Sequence, residues 1–114
     1  MLQISPAKIA YIIIRAREFD AGFPGTGHEE ELRAFIEALN DDEKASLVAL
    51  MWIGRETYEA DELAEAIATA RAEATAPTED YLLGIPMLAD YLEDGLGALG
   101  MSLEDAGDDV LRMT

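Results

Sequence analysis

The sequence has no cysteine, a single histidine (His28), and no Lys or Arg between Ala72 and Leu111. The first absence excludes disulfides, thiolate nucleophiles and cysteine-held zinc, and it suits a reducing cytosol. The lone histidine excludes the two-histidine zinc helix and leaves Ser5, Ser46 and Ser102 only His28 as an imidazole base. These serines read better as a cap, a helix residue and a second cap, and His28 as a loop or cap residue. No run approaches the ~20 apolar residues of a membrane span. The run Ile9 to Ile14 is too short for an export-signal core and follows Ser5-Pro6 instead of a basic leader. We therefore expect a cytoplasmic protein without membrane contact, metal or other cofactor. Strand signals are missing too, since no apolar run alternates with period two between hairpin turns.

What is abundant is acid. The chain carries 24 Asp and Glu against 8 Lys and Arg, a formal charge of −16, and ten of the carboxylates lie between Ala72 and Leu111. A phosphate backbone is repelled by such a surface, so direct nucleic-acid binding is not expected unless Arg15, Arg17 and Arg55 cluster. The excess reads either as solvated helix faces or as a docking surface for a basic partner. Half of the 114 residues are apolar, enough for a core. One domain of this size buries about two-thirds of the surface exposed by its unfolded chain. Residues 1–100 are expected to form that domain, with 101–114 an acidic tail or a short helix.

The expected fold is all-α, a compact bundle of about five helices. Ser5-Pro6 starts the first, because Ser offers an acceptor to an orphan N–H and Pro has no N–H to satisfy. It should run to about Phe19 with Ile9, Ile12, Ile13, Ala16 and Phe19 in one stripe, while Ala10, Tyr11 and Ile14 widen the apolar surface. Residues 20–28 form a Gly- and Pro-rich loop. A second helix, Glu29 to Leu39, buries Leu32, Phe35, Ile36 and Leu39. Asn40 and Glu43 make a reciprocal capping pair for a third, Asp41 to Ile53 or Arg55. Its centre, LVALMWI, is apolar at successive positions, which suits a buried central helix or a subunit interface. A fourth helix, Ala60 to Ala74, turns Leu63, Ile67 and Ala68 inward, and Ala76-Pro77 stops it.

Thr78 should cap a short helix to Leu83, and the last helix pair is broken at Gly84-Ile85-Pro86. Proline disfavours helix at the residue before it and costs about 3 kcal/mol inside a helix. A new helix from Pro86 places Leu88, Tyr91, Leu92, Gly95 and Leu99 on one side. Gly95 and Gly97 each cost about 1 kcal/mol relative to Ala, which close packing or a ligand at bare backbone must offset. Gly100 is the left-handed stop. Ser102-Leu103-Glu104-Asp105 has the signature of a cap for one more short helix.

The loop GFPGTGHEEE fits neither motif it suggests. A phosphate cradle lacks its Lys, and Glu29, Glu30 and Glu31 already occupy the positive helix end. A calcium loop from Asp20 has Gly22 and Pro24 where side-chain oxygens belong. The stretch MWIGRETY is more informative: Trp52, Arg55 and Tyr58 recur at every third residue and are types enriched at interface hot spots. Core placement of Trp52, with Arg55 neutralising the helix end, is the structural alternative. Two nearly all-round apolar helices exceed what a small interior covers, so a second copy of the chain should partly cover one of them, the alternative being a lopsided monomer with a buried helical hairpin. Ile14, Trp52, Arg55, Tyr58 and Tyr91 are the interface candidates, and no residue stands out as catalytic.

Three segments, LQISPAKIAYIIIRAREFD (2–20), LRAFIEALNDDEKASLVALMWIGR (32–55) and DYLLGIPMLADYLEDGLGALG (80–100), resemble a family of small bacterial proteins of unknown function, DUF3775. The loop after Asp20 is short here where relatives often carry a longer acidic spacer. The resemblance implies no activity and no site residue. The expected function is a protein–protein interaction module acting as a homodimer, with an unidentified and basic partner as a further expectation. A small carboxylate-based enzyme and an acidic mimic that occupies a basic nucleic-acid-binding protein are the alternatives.

Overall fold

A computed structural model describes residues 2–20, 28–73 and 77–102, leaving out the side chains of residues 19, 20 and 28. Among the described residues every regular element is helical: α1 (Pro6–Asp20), α2 (His28–Glu37), α3 (Asp41–Gly54), a 3-10 turn (Ala60–Glu62), α4 (Leu63–Ala72), α5 (Thr78–Leu83) and α6 (Leu88–Ala98). The all-α reading holds, with six α-helices in place of about five because the short helix before the break stands as an element of its own. The loop over 21–27, the chain at Ala74 to Ala76, the Phe19 side chain and the final short helix lie outside the described residues.

Local chemistry accounts for most helix ends. The Ser5 hydroxyl accepts from the Lys8 N–H at 3.2 Å. Asn40 accepts from the Glu43 N–H at 2.8 Å, and Glu43 accepts in turn from the Asn40 N–H at 3.0 Å. Lys8 pairs with the same Glu43 carboxylate, so α1 is tied to the start of α3. Lys8 first, and the Asn40 N–H second, hold the Glu43 carboxyl below the usual carboxylate range. The reverse placement occurs at α5: Pro77 is the cap residue and Thr78 is already helical, with no side-chain cap bond. Glu79 and Asp80 in the first turn still suit the positive helix end.

α3 is the central helix. Every residue from Ala45 to Ile53 is buried, and α3 packs chiefly on α6 and α4, with α5 also against it. α1 lies on α6 and α2, burying Ile9, Ala10, Ile12, Ile13 and Ala16. The apolar surplus of α3 is therefore covered within one chain. The surplus of α1 is reduced to Ile14, which is 44% exposed. In α4 the inward residues are Leu63, Ala66, Ile67 and Ala70, while Ala68 is exposed. Leu63, Ala66, Ile67 and Ala70 follow the spacing of one helix face, and Ala68 falls off it. Phe35 is half-buried instead of buried, with its ring 4.5 Å from that of Tyr11.

The break between α5 and α6 is longer than the proline alone requires. Gly84 keeps a right-handed backbone, and the left-handed residue is Met87, at φ 63° and 55% exposed. Helix resumes at Leu88 and not at Pro86, directly after the left-handed Met87 that serves as its cap residue. The end of α6 is as expected: Gly100 sits at φ 81° and its N–H meets the Gly97 carbonyl, while the Met101 N–H reaches Leu96. That pair of bonds is the Schellman arrangement.

The two helical glycines of α6 have different reasons to exist. A Cβ on Gly95 would lie 2.4 Å from the Leu50 carbonyl oxygen, whereas one on Gly97 would meet nothing within 4 Å. Close packing on α3 explains Gly95. Gly97 faces open space, and nothing in the structure explains it. Gly54, at the end of α3, makes the closest approach of all, since its Cβ would fall 1.7 Å from the Tyr91 carbonyl oxygen.

Candidate functional site

The end of α3 carries an unusual residue. After Gly54 and Arg55 the chain closes the helix with Glu56 at φ 68°, its N–H on the Ile53 carbonyl and the Thr57 N–H on Trp52. This is the same Schellman closure that Gly100 makes for α6, with glutamate where glycine is favoured. A left-handed backbone costs a residue with a Cβ roughly 1–2 kcal/mol. The chain then runs through Tyr58 and Glu59 into the 3-10 turn. Glu62 accepts from the Glu59 N–H at 2.8 Å and fixes that turn.

These segments and the last turns of α6 enclose a cleft of about 410 Å³. It is lined by Ile53, Gly54, Tyr58, Ala60 and Ala98, and its carboxylates are Glu56, Glu59 and Asp94. None of its lining residues is basic. Among the described residues no ion pair joins a cation to these three carboxylates: Arg17 pairs with Asp90 and Glu93, Arg33 with Asp80 and Glu29, Arg71 with Asp42, Lys8 with Glu43 and Arg15 with Glu18, while Arg55, next to Glu56, donates to the Thr57 hydroxyl. The negative end of the α3 dipole lies at the same place. The cleft thus combines three carboxylates with apolar residues and one aromatic ring.

Trp52 and Tyr58 are brought together, with rings stacked and centroids 5.7 Å apart. Trp52 is only 9% exposed and donates its indole N–H to the Tyr81 hydroxyl at 3.0 Å, so its surface is spent inside the chain. Tyr58 is half-buried and reaches the cleft. Arg55 is exposed, and its guanidinium Nε donates to the Thr57 hydroxyl at 3.2 Å. Tyr91 is half-buried, with its carbonyl against Gly54. Four of the five sequence candidates therefore surround the end of α3, and Ile14 stands apart from them on α1. Sequence reasoning missed Glu56, Glu59 and Asp94 as a group. Left-handed Glu56 carries no local signal, and Asp94 joins the others only through the packing of α6 on α3.

Other candidates are weaker. Glu59, Asp61 and Glu62 bring one carboxylate oxygen each within 4.8 Å of the others, but Glu62 is occupied as a cap. A second cleft, near the start of α3, mixes Asp41 and Asp42 with Lys44 and Arg71, so its charges largely cancel. Glu43, whose carboxyl is held below its ordinary range, is bound into the α3 cap and paired with Lys8. Among the described residues, no buried side-chain nitrogen or oxygen lacks a partner, and no helix is long and apolar enough to cross a membrane.

Fold and site together define a small all-α domain built on one buried helix, with an acidic cleft at that helix's end. The chain belongs to the family described as Protein of unknown function (DUF3775), whose model matches residues 29–101. The match runs from the first turn of α2 to just past α6 and includes the whole cleft, while the segment 2–20 lies outside it. No curated protein and no solved structure matches the chain.

Proposed function

We propose that this protein is a protein-interaction module, with no chemistry of its own, that receives a basic segment of a partner in the cleft at the end of α3. The observation that carries this reading is the set Glu56, Glu59 and Asp94, with no ion pair among the described residues, in a cleft also lined by Ile53, Tyr58 and Ala60. A lysine or arginine side chain is amphipathic in the matching sense: its stem lies on apolar surface while its head meets carboxylates. The aromatic face of Tyr58 adds a cation–π partner. The cysteine-free composition supports the cytoplasm as the compartment.

Trp52 is the single tryptophan and stacks on Tyr58, so its fluorescence reports on the cleft. Titration with a lysine- and arginine-rich peptide should change that fluorescence at low salt, with binding that weakens as salt rises. Asp94→Lys should weaken binding at least about tenfold, a loss of ~1.4 kcal/mol, while the same charge change at exposed Glu37 on α2 should leave it within about twofold. Equal weakening by both variants would replace the cleft with a diffuse acidic surface and favour the mimic. Unchanged binding by Asp94→Lys would end the proposal.

Self-association is a second reading, supported by one exposed aliphatic residue, Ile14, on a helix that is otherwise largely buried. It now rests on α1 alone, since α3 is covered within the chain. Sedimentation equilibrium at tens of micromolar should show a dimer, and Ile14→Asp should move it toward monomer. A single 12.4 kDa species from the unmodified protein refutes this reading and leaves the cleft proposal standing.

A further inference from the structure

A further concavity, of about 370 Å³, has a different character: it is lined by Leu2, Ile4, Pro6, Leu63, Leu99 and Met101, all apolar. The Gln3 N–H donates at 2.9 Å to the hydroxyl of Ser46, a fully buried residue of α3, and this bond anchors the chain between Leu2 and Ile4. At the end of α6 the Met101 N–H, on the Leu96 carbonyl, anchors Met101 in the same way. This groove adjoins the acidic cleft along two segments. Ala98 lines the cleft and Leu99, the next residue, lines the groove; Ala60 lines the cleft and Leu63, one turn on, lines the groove. Three carboxylates outside any ion pair among the described residues and an apolar lining therefore stand side by side.

Resting on the reading of the cleft as a site for a basic segment, we propose that the same partner segment continues into the groove, so that the partner carries an apolar residue close in sequence to its lysine or arginine. Charge decides between possible occupants. A second copy of this chain, at a formal charge of −16, is repelled by Glu56, Glu59 and Asp94, whereas a basic segment is drawn to them and brings its neighbouring residues to the groove. There an apolar side chain removes its own surface and that of Leu63, Leu99 and Met101 from water, and a segment with both residue types has an anchor in each concavity. Helix geometry sets the spacing. Asp94 and Leu99 are five residues apart, about 7.5 Å along α6 at ~1.5 Å per residue, a span that an extended peptide covers in about two or three residues at ~3.3 Å each. The partner is therefore a basic segment with a leucine, methionine or aromatic residue about two or three positions from its cation.

Isothermal titration of the full chain with two blocked peptides tests it: one carries a pair of arginines and a leucine two positions after the second, and the other has serine in place of that leucine. The leucine peptide should bind at least about tenfold tighter. Both affinities should fall as salt rises while their ratio holds, because screening weakens charge contacts and leaves apolar burial unaffected. Met101→Gln and Leu2→Gln, each neutral and at a half-buried residue, should cut the leucine advantage at least about threefold and leave the serine peptide within about twofold, with helix content by circular dichroism showing that the bundle is intact. Equal affinity of the two peptides for the unmodified chain overturns the inference and leaves the cleft reading standing; a second copy, or the chain beyond Ser102, filling the groove would give that result. A leucine advantage that survives both substitutions places the leucine elsewhere and overturns it as well. Failure of both peptides to bind ends the cleft reading itself, and this inference with it.

Discussion

Gly54→Ala should lower the melting temperature by about 10 °C or more, the largest loss expected from any single methyl group added to this protein. Two effects oppose each other. Alanine favours the helix by about 1 kcal/mol over glycine. Against that, the new Cβ would stand 1.7 Å from the Tyr91 carbonyl oxygen and 2.9 Å from the Gly95 nitrogen. Both obstacles are backbone atoms of α6, so no rotamer change relieves the clash and α3 and α6 must separate. Overpacking of this kind costs typically 1–3 kcal/mol and sometimes more, and the loss of contact along the central helix places this case at the upper end. Thermal unfolding followed by circular dichroism measures it. A melting temperature within about 2 °C of the unmodified protein would show that the two helices are not in backbone contact.

Gly95→Ala is the second large effect, and its neighbour supplies the control. A Cβ at Gly95 would lie 2.4 Å from the Leu50 carbonyl oxygen and 3.0 Å from two atoms of the Leu50 side chain. Leu50 is fully buried, so its side chain has nowhere to move, and a loss of about 2–3 kcal/mol is expected. Two residues further along the same helix, Gly97 has open space where its Cβ would be. Gly97→Ala should therefore stabilise, by up to about 1 kcal/mol, through helix propensity and a less flexible unfolded chain. Urea denaturation should show the two midpoints moving in opposite directions with unchanged slopes. If both variants shift the same way, the packing of α6 on α3 described here is wrong.

This pair of glycines shows where reading the chain alone succeeds and where it stops. Both look identical in the stretch LEDGLGALG: each is a costly residue inside a helix, and close packing is the common reason. Which one packs depends on the rotation of α6 against α3, and no local feature encodes that angle. Gly54 is harder still, because it reads as an ordinary residue near a helix end. The cleft follows the same rule. Glu56, Glu59 and Asp94 are three carboxylates among 24 acidic residues, and they acquire a common purpose only when α6 crosses the end of α3.

Local chemistry by itself determined the all-α class, the starts at Ser5 and Asn40, the stop at Gly100 and the interruption before Pro86. Each of these depends on bonds or sterics among residues within a few positions of one another. The seven-residue apolar run of α3 likewise marked it as either a buried central helix or a subunit interface, since no surface helix is apolar on every side. Tertiary structure decided what covers that helix, namely α6, α4 and α5 of the same chain instead of a second copy. It placed Trp52 inside, bonded to Tyr81, and left Ile14 outside. These outcomes come from contacts between residues far apart in the chain, where the packing free energy of whole helices outweighs the preference of any one position.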